Sequence, residues 1–297
     1  MRYLVTGGAG FIGSNLVDAL IARGDEVRVV DDLSTGKREN LNPKAEFFEL
    51  DLRDLEAIRP AFAGVDGVFH VAALPRIPLS IAEPALTNSV NVDGTVNVLV
   101  AAKDAGVKRV VYSASSSAYG NQEKLPFTED MLTNPLNPYG LQKYIGELYM
   151  RVFASIYGIE TVSLRYFNIY GPRMATEGAY TTVIATFLRQ KAAGEPLTVC
   201  GDGEQTRDFT HVSDAVAANV LAMTSDKVGH GEVLNVGAGE RHSVNEIAAM
   251  VGGPVEFLDA RPGEMRNTLA DTSLAKSSLG WEPKVRFADG VAELLSK

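Results

Sequence analysis

The feature that most limits what this chain can fold into lies in its first thirteen residues. There Thr6-Gly7-Gly8-Ala9-Gly10-Phe11-Ile12-Gly13 follows a short β-rich run, Leu4 to Thr6, and opens a helical pattern. Glycines at 7, 10 and 13 let the backbone turn tightly, approach a pyrophosphate and pack helix against strand, while the helix N-terminus adds partial positive charge. Ile12, Leu16, Ala19, Leu20 and Arg23 recur at helical spacing, and Arg23-Gly24 gives a cationic last turn with a glycine stop. About twenty residues on, Asp31 ends the next β-rich run, where an acid accepts hydrogen bonds from an adenosine ribose. Its negative charge repels a 2′-phosphate, so the turn and the acid together predict NAD rather than NADP. The competing readings are a structural glycine turn and, for Asp31 or Asp32, a strand-end turn residue.

The order of elements sets the fold class. Leu4 to Thr6, Val27 to Asp31, Phe47 to Leu50, Val68 to Val71, Arg109 to Tyr112 and Thr161 to Arg165 are β-rich and nearly continuous in apolar residues, and they alternate with helical patterns. Such alternation predicts an α/β fold, a Rossmann-type doubly wound parallel sheet with helices on both faces, over residues 1–165. The regions Asn88 to Ala105 and Pro138 to Tyr157 read as two long helices. After Arg165 the rhythm fails and loop-like stretches such as Cys200-Gly201-Asp202-Gly203 multiply. Residues 166–297 are expected to form mainly a smaller mixed α/β substrate lobe, with some segments returning to the first domain. Its helical patterns are Thr182 to Ala193, Ser213 to Thr224 and Val244 to Val251, and its strands Leu197 to Val199 and Val255 to Leu258.

Composition narrows the function. The 297 residues carry a formal charge of −9, with no basic excess to hold a nucleic acid, although a few placed arginines suffice for a small anion. Cys200 is the only cysteine, which excludes an intrachain disulfide or a cysteine metal cluster and fits a reducing cytoplasm. No signal peptide or apolar run of about 18 residues is evident, so a cytoplasmic protein with no membrane partner is expected. No His, Asp and Glu spacing suggests a metal. His70 should line the sheet, His211 sits beside a helix start, His230 and His242 have loop-like neighbours, and Trp281 reads as a packing anchor.

The glycine spacing, with the serine-rich stretch Tyr112 to Gly120 and the sequence Tyr139-Gly140-Leu141-Gln142-Lys143, resembles the short-chain dehydrogenases/reductases. The whole chain is similar to their extended branch of nucleotide-sugar epimerases and dehydratases, nearest to the UDP-hexose 4-epimerases. Asp31-Asp32-Leu33-Ser34-Thr35-Gly36, His70-Val71-Ala72-Ala73, Asn91 to Thr95, Arg165-Tyr166-Phe167-Asn168, Arg207-Asp208 and Arg261-Pro262-Gly263-Glu264 carry that similarity.

The resemblance implies Tyr139 as base, Ser115 as hydrogen-bond partner of the sugar hydroxyl, and Lys143 as the cation that activates Tyr139. For NAD it implies Gly7, Gly10, Phe11, Ile12 and Gly13, then Asp31, Asp32, Leu33, Ser34, Thr35 and Gly36. Asp51, Leu52, Val71, Ala72 and Ala73 follow, and Tyr139, Lys143, Tyr166 and Phe167 complete that set. For a UDP-sugar it implies Ser115, Ser116, Ser117 and Tyr139, then Asn168, Val183, Val199 and Arg207, and lastly Arg261, Glu264 and Thr268. Arg207 and Arg261 would grip the diphosphate. A tyrosine of pKa near 10 needs a drop of roughly three units, about 4 kcal/mol, to act as a base at neutral pH, and Lys143 with the positive nicotinamide ring is the expected source.

Family dehydratases and decarboxylases carry an acid beside the catalytic Ser/Thr, whereas this chain reads Ser115-Ser116-Ser117-Ala118. Reversible oxidation at C4 needs only Tyr, Ser and Lys, so 4-epimerisation of UDP-Glc/UDP-Gal is the expected reaction. The small Thr268 extends it to UDP-GlcNAc/UDP-GalNAc. Val90 and Pro75 replace a cofactor-contacting Asn and a substrate-contacting Lys of some relatives. The alternatives are a UDP-glucuronate 4-epimerase, another nucleotide-sugar dehydratase or reductase, and a non-catalytic NAD-sensing protein. The helices near 88–105 and 138–157 correspond to those of a four-helix homodimer interface in relatives.

Overall fold

The computed structural model describes residues 1–175, 182–260 and 265–296. Seven parallel strands form the main sheet among the described residues. They are β1 (Arg2–Thr6), β2 (Glu26–Asp31), β3 (Glu46–Glu49), β4 (Gly67–His70), β5 (Arg109–Ser115), β6 (Glu160–Tyr166) and β7 (His230–Val236). Their spatial order is β7-β6-β5-β4-β1-β2-β3. The order reverses at β1, which pairs with β2 on one side and β4 on the other. Connections leaving β1 and β4 therefore diverge, opening a crevice at the carboxyl ends of the strands.

Both faces of the sheet are covered, which is why its strands are apolar throughout. On one face the Phe11–Ala22 helix contributes Leu16, Val17 and Leu20, and the Val212–Thr224 helix contributes Ala215, Val216 and Ala218. On the other, Val98, Leu99 and Ala102 of the Gly94–Asp104 helix pack with Met150 and Phe153 of the Pro138–Tyr157 helix. The long helix read over Asn88 to Ala105 is two α-helices, Pro84–Asn88 and Gly94–Asp104, joined by a π-helical turn over Ser89–Asp93.

The chain returns to the sheet after its excursion beyond residue 166. β7 pairs in register with β6, and the Val212–Thr224 helix covers that side. His230 opens β7 and His242 lies in a short strand, His242–Ser243, so neither is the loop residue expected. Trp281, 1% exposed, donates its indole N–H to the Asp214 carbonyl at 2.9 Å. The remaining lobe pairs Leu197–Cys200 with the exposed strand Val255–Leu258 and packs Leu197 and Val199 with the helices Val183–Ala193, Val244–Val251 and Phe287–Leu295. Ser243 and Glu246 cap the Val244–Val251 helix reciprocally.

Candidate active site

The crevice begins at the glycine turn. Gly7 has φ of 73°, and a Cβ there would lie 2.7 Å from the Ala72 Cα. A Cβ on Gly13 would lie 2.0 Å from the Gly7 carbonyl oxygen. The turn thus closes only with glycine at both positions, bringing the helix start against the β4 exit. Gly10 caps that helix with no side-chain bond. The first-turn N–H groups and the positive end of the helix dipole are left at the wall of the cleft, which Gly7, Gly10, Phe11, Ile12 and Gly13 line.

Asp31 stands at the end of β2 on the same wall, its carboxylate accepting the Ala9 N–H at 3.0 Å and the Leu33 N–H at 2.9 Å. Burial pushes its pKa up while these bonds hold it back. Asp32, Ser34, Thr35, Asp51, Leu52, Val71, Ala72 and Ala73 line the cleft as expected. Leu33 and Gly36 do not. Gly36 instead allows close approach, since a Cβ there would lie 2.9 Å from both Ala9 Cβ and Asp31 Oδ1. Pro75 and Val90 also border the cleft, together with Arg76.

At its far end the cleft reaches Tyr139, Lys143 and Tyr166. The Asn137 side chain caps the Pro138–Tyr157 helix at the Gly140 N–H, and Tyr139 and Lys143 follow one turn apart on its sheet-facing side. The Lys143 ammonium donates to the Ser113 carbonyl at 2.8 Å and sits 4.8 Å from the Tyr112 ring centre. Burial lowers its pKa to about 7, and Glu147 opposes that fall. Burial raises the Tyr139 phenol to about 12, with Ser115 pulling the other way. The chain alone does not make this phenol basic, because the dry floor that brings Tyr139 and Lys143 together penalises both charged forms.

Ser115 ends β5 and accepts the Ser117 N–H. Its hydroxyl hydrogen-bonds the Tyr139 phenol, but β5 lines the cleft itself through Ser113 and Ala114, and none of Ser115, Ser116 and Ser117 borders it. Phe167 does not border the cleft; its side chain is fully buried in an aromatic core with Tyr119, Phe127 and Ala270.

Polar residues to which the sequence alone gave no site role hold this arrangement. Ala72 N–H donates to Thr6 Oγ1, which lies 2.7 Å from His70 Nδ1, and His70 Nε2 lies 2.9 Å from Thr95 Oγ1. Thr95 in turn donates to the Asn91 carbonyl. Asn91, in the π-helical turn, exchanges hydrogen bonds with the Leu74 backbone and donates to Gln142 on the Pro138–Tyr157 helix. One amide thus fixes both the loop after β4 and the helix carrying Tyr139.

A second cavity lies in the smaller lobe, lined among others by Asn168, Val183, Cys200, Gln205 and Arg207. Asp208 knots the loops around it, accepting N–H bonds from Ala238, Gly239 and Ala270 while its carbonyl accepts from Asn168. Arg207 donates to the carbonyls of Thr206 and Arg266. Val199 is fully buried in the lobe core, and its strand neighbours Thr198 and Cys200 line the cavity, as alternation requires. Thr268 is also fully buried, its hydroxyl accepting the Asp208 N–H at 3.2 Å, and it lines neither cavity. The side chain expected to set pocket size is a core residue. Arg261 and Glu264 lie outside the described residues. Among the described residues no helix is long and apolar enough to cross a membrane.

Known proteins share this arrangement over the full length of the chain. A UDP-glucose 4-epimerase of Mycolicibacterium smegmatis is 38% identical over 307 residues, covering 99% of this chain and 97% of the relative. The structure of a Thermotoga maritima UDP-glucose 4-epimerase with UDP-glucose superposes with a TM-score of 0.95 at 39% identity, covering 100% of this chain and 98% of that one. A Thermus thermophilus UDP-glucose 4-epimerase in complex with NAD gives 0.91 at 36% identity and the same coverage. Residues 3–237 match the family described as NAD dependent epimerase/dehydratase, a span running from β1 through β7 and holding the glycine turn, Asp31, Tyr139 and Lys143. With sheet, cleft and full-length kinship in agreement, the chain belongs to the NAD dependent epimerase/dehydratase family.

Proposed function

We propose that the protein is a UDP-hexose 4-epimerase that keeps NAD resident in the cleft between the glycine turn and Tyr139. The observation that carries this reading is the meeting of Tyr139, Lys143 and the Ser115 strand end at one end of that cleft, with Asp31 and the uncapped helix start at the other. Asp31 suits the adenosine ribose and the helix start the pyrophosphate. Lys143 would hold the nicotinamide ribose. Bound NAD supplies a hydride acceptor and donor at C4 of the sugar, and in its oxidised form a positive charge.

The chain's own residues handle the proton. Ser115 hydrogen-bonds the C4 hydroxyl, and Tyr139 takes its proton and later returns it. Lowering the phenol from about 12 to neutrality requires roughly 7 kcal/mol in favour of the phenolate. That charge must come from Lys143 in its ammonium form together with the loaded cleft. Ser116, Ser117 and Ala118 beside Ser115 offer no carboxylate for elimination, which supports epimerisation over dehydration.

Asn168, Val183 and Arg207 in the second cavity, with Arg261, are the proposed contacts of the nucleotide diphosphate. Residues 1–165 with the returning β7 would form the cofactor domain, and the remainder the sugar-nucleotide lobe. The outward face of the Pro138–Tyr157 helix exposes Leu141, Leu148, Val152 and Ile156 in one stripe, which supports a homodimer through paired helices. A cytoplasmic location accords with the single, unpaired cysteine. Incubation with UDP-, dTDP- and GDP-sugars, followed by NMR at C4, tests the reading. Inversion of UDP-hexoses is expected, and Tyr139→Phe should abolish it while NAD stays bound. A stable 4-keto-6-deoxy product, or undiminished inversion by the variant, overturns it.

A further inference from the structure

Beneath the catalytic pair lies an ion pair that the proposed reaction does not itself use. Glu147 sits one helical turn beyond Lys143, and its two carboxylate oxygens accept from Arg165 Nε at 2.9 Å and Nη2 at 2.7 Å. The side chains are 1% and 4% exposed. The Arg165 guanidinium also lies 4.5 Å from the Tyr119 ring centre, and the Tyr119 hydroxyl donates to Asn235 of β7 at 2.7 Å. Arg165 is thus fixed from the strand side, and it fixes the carboxylate of Glu147, buried on the same helix one turn from the equally buried Lys143. A buried ion pair is a costly way to join a helix to a strand, since apolar residues of similar size do so as well or better. Its cost is explained if the field of the carboxylate is used.

We propose that Glu147, locked in place by Arg165, is a positioning residue that favours the ammonium form of Lys143 beneath the cleft. The inference rests on the catalytic assignment of Tyr139 and Lys143 made above.

The other groups around Lys143 do not supply that charge. β5 presents the Ser113 carbonyl, a dipole, and the face of Tyr112. β4 presents His70, which burial keeps neutral. On its own helix stand the phenol of Tyr139, Glu147, and then Arg151, whose charge reaches Glu147 from the far side. From β6 comes Arg165, a cation whose guanidinium is paired with the Glu147 carboxylate. Glu147 is the carboxylate that offsets part of the penalty of burying the lysine, whose pKa stands at about 7 with that carboxylate in place. An ammonium lost at neutral pH removes the charge that favours phenolate at Tyr139.

The test is Glu147→Gln, which retains a carbonyl oxygen for Arg165 but removes the charge, alongside Glu147→Asp, which keeps it. The Lys143 amine is followed by ¹H–¹⁵N correlation NMR across pH in the protein without added substrate, its signal assigned by loss in Lys143→Arg. The expected midpoint in Glu147→Gln is about one pH unit lower than in the unaltered protein, with Glu147→Asp restoring most of the difference. In the loaded enzyme the alkaline fall of kcat should move down by a similar interval, about a tenfold loss on the alkaline limb, with KM for the UDP-hexose little changed. Coincident lysine midpoints in the Gln variant and the unaltered protein overturn the proposal. Should the Gln variant not fold, Glu147→Met with Arg165→Met removes both charges without stranding either; loss of the guanidinium acts in the opposite sense, so a smaller lowering of the midpoint is required, and an unchanged or raised midpoint overturns the proposal. Failure of the underlying reading shows differently, as C4 inversion that survives Tyr139→Phe.

Discussion

The buried imidazole of His70 gives a quantitative prediction about acid stability. Its ring is 1% exposed and stacks on Tyr112 with centroids 5.5 Å apart. The hydrogen bonds around it run in one direction. Thr95 spends its proton on the Asn91 carbonyl and so accepts from His70 Nε2, while Thr6 accepts from Ala72 and so donates to His70 Nδ1. The neutral Nε2–H tautomer satisfies every group, and a proton on Nδ1 would set two donors against each other. Burial first, then the Lys143 charge, lowers the pKa to about 3.

The unfolded chain binds this proton near pH 6.5 and the folded chain does not, so the stabilisation is complete above about pH 6.5 and is lost progressively as pH falls toward 3. The loss amounts to about 2 kcal/mol near pH 5 and about 5 kcal/mol below pH 3. Urea unfolding of the protein and of His70→Gln at about pH 7.5 and about pH 5 isolates this contribution, because other titrations cancel in the difference. The variant should be less stable at the higher pH by about 1–3 kcal/mol for its broken bonds, with the gap narrowing by about 2 kcal/mol at the lower pH. A gap equal at both pH values refutes the argument, as does an imidazole NMR signal titrating above about pH 5.5.

Two further outcomes follow from packing. Gly13→Ala forces a methyl to within 2.0 Å of the Gly7 carbonyl oxygen, so the variant should melt several degrees lower and be purified with little NAD, as read by cofactor content after denaturation; full NAD occupancy would refute the close-approach argument. Thr268→Tyr adds a ring at a fully buried site that holds the Asp208 N–H, so a fall in Tm corresponding to about 1–3 kcal/mol or more is expected, read by calorimetry; an unchanged Tm with altered sugar preference would restore the gating role expected from sequence.

What could be read from the sequence was local chemistry. The glycine turn, Asp31 at a strand end and the Tyr139–Lys143 spacing each need only neighbours along the chain, and each stands where the sequence placed it. Residues defined by distant partners were not legible. Glu147 and Arg165 are ordinary helix and strand residues until β6 is laid beside the Pro138–Tyr157 helix. Asn91 gains its clamp from Leu74 and Gln142, which no spacing rule connects. Strand β7 escaped notice because His230-Gly231-Glu232 dilutes its start and the buried Asn235 interrupts its apolar end, with donors and acceptors supplied by Tyr119, Phe127 and Asp271. Val199 is buried in the lobe core while its strand neighbours Thr198 and Cys200 face the second cavity, a division that only the packing of the lobe decides.

The late arrival of β7 has a bearing on biosynthesis. A ribosome that has released residues up to Tyr166 has made six of the seven strands, yet the outer rim of β6 stays bare until Val236 emerges. Throughout that interval the nascent half-molecule presents an unpaired ladder of backbone groups, an invitation to mispairing that ends only once the second lobe has been threaded out. Cutting the gene after residue 165 should therefore give an aggregating fragment rather than a free-standing nucleotide module.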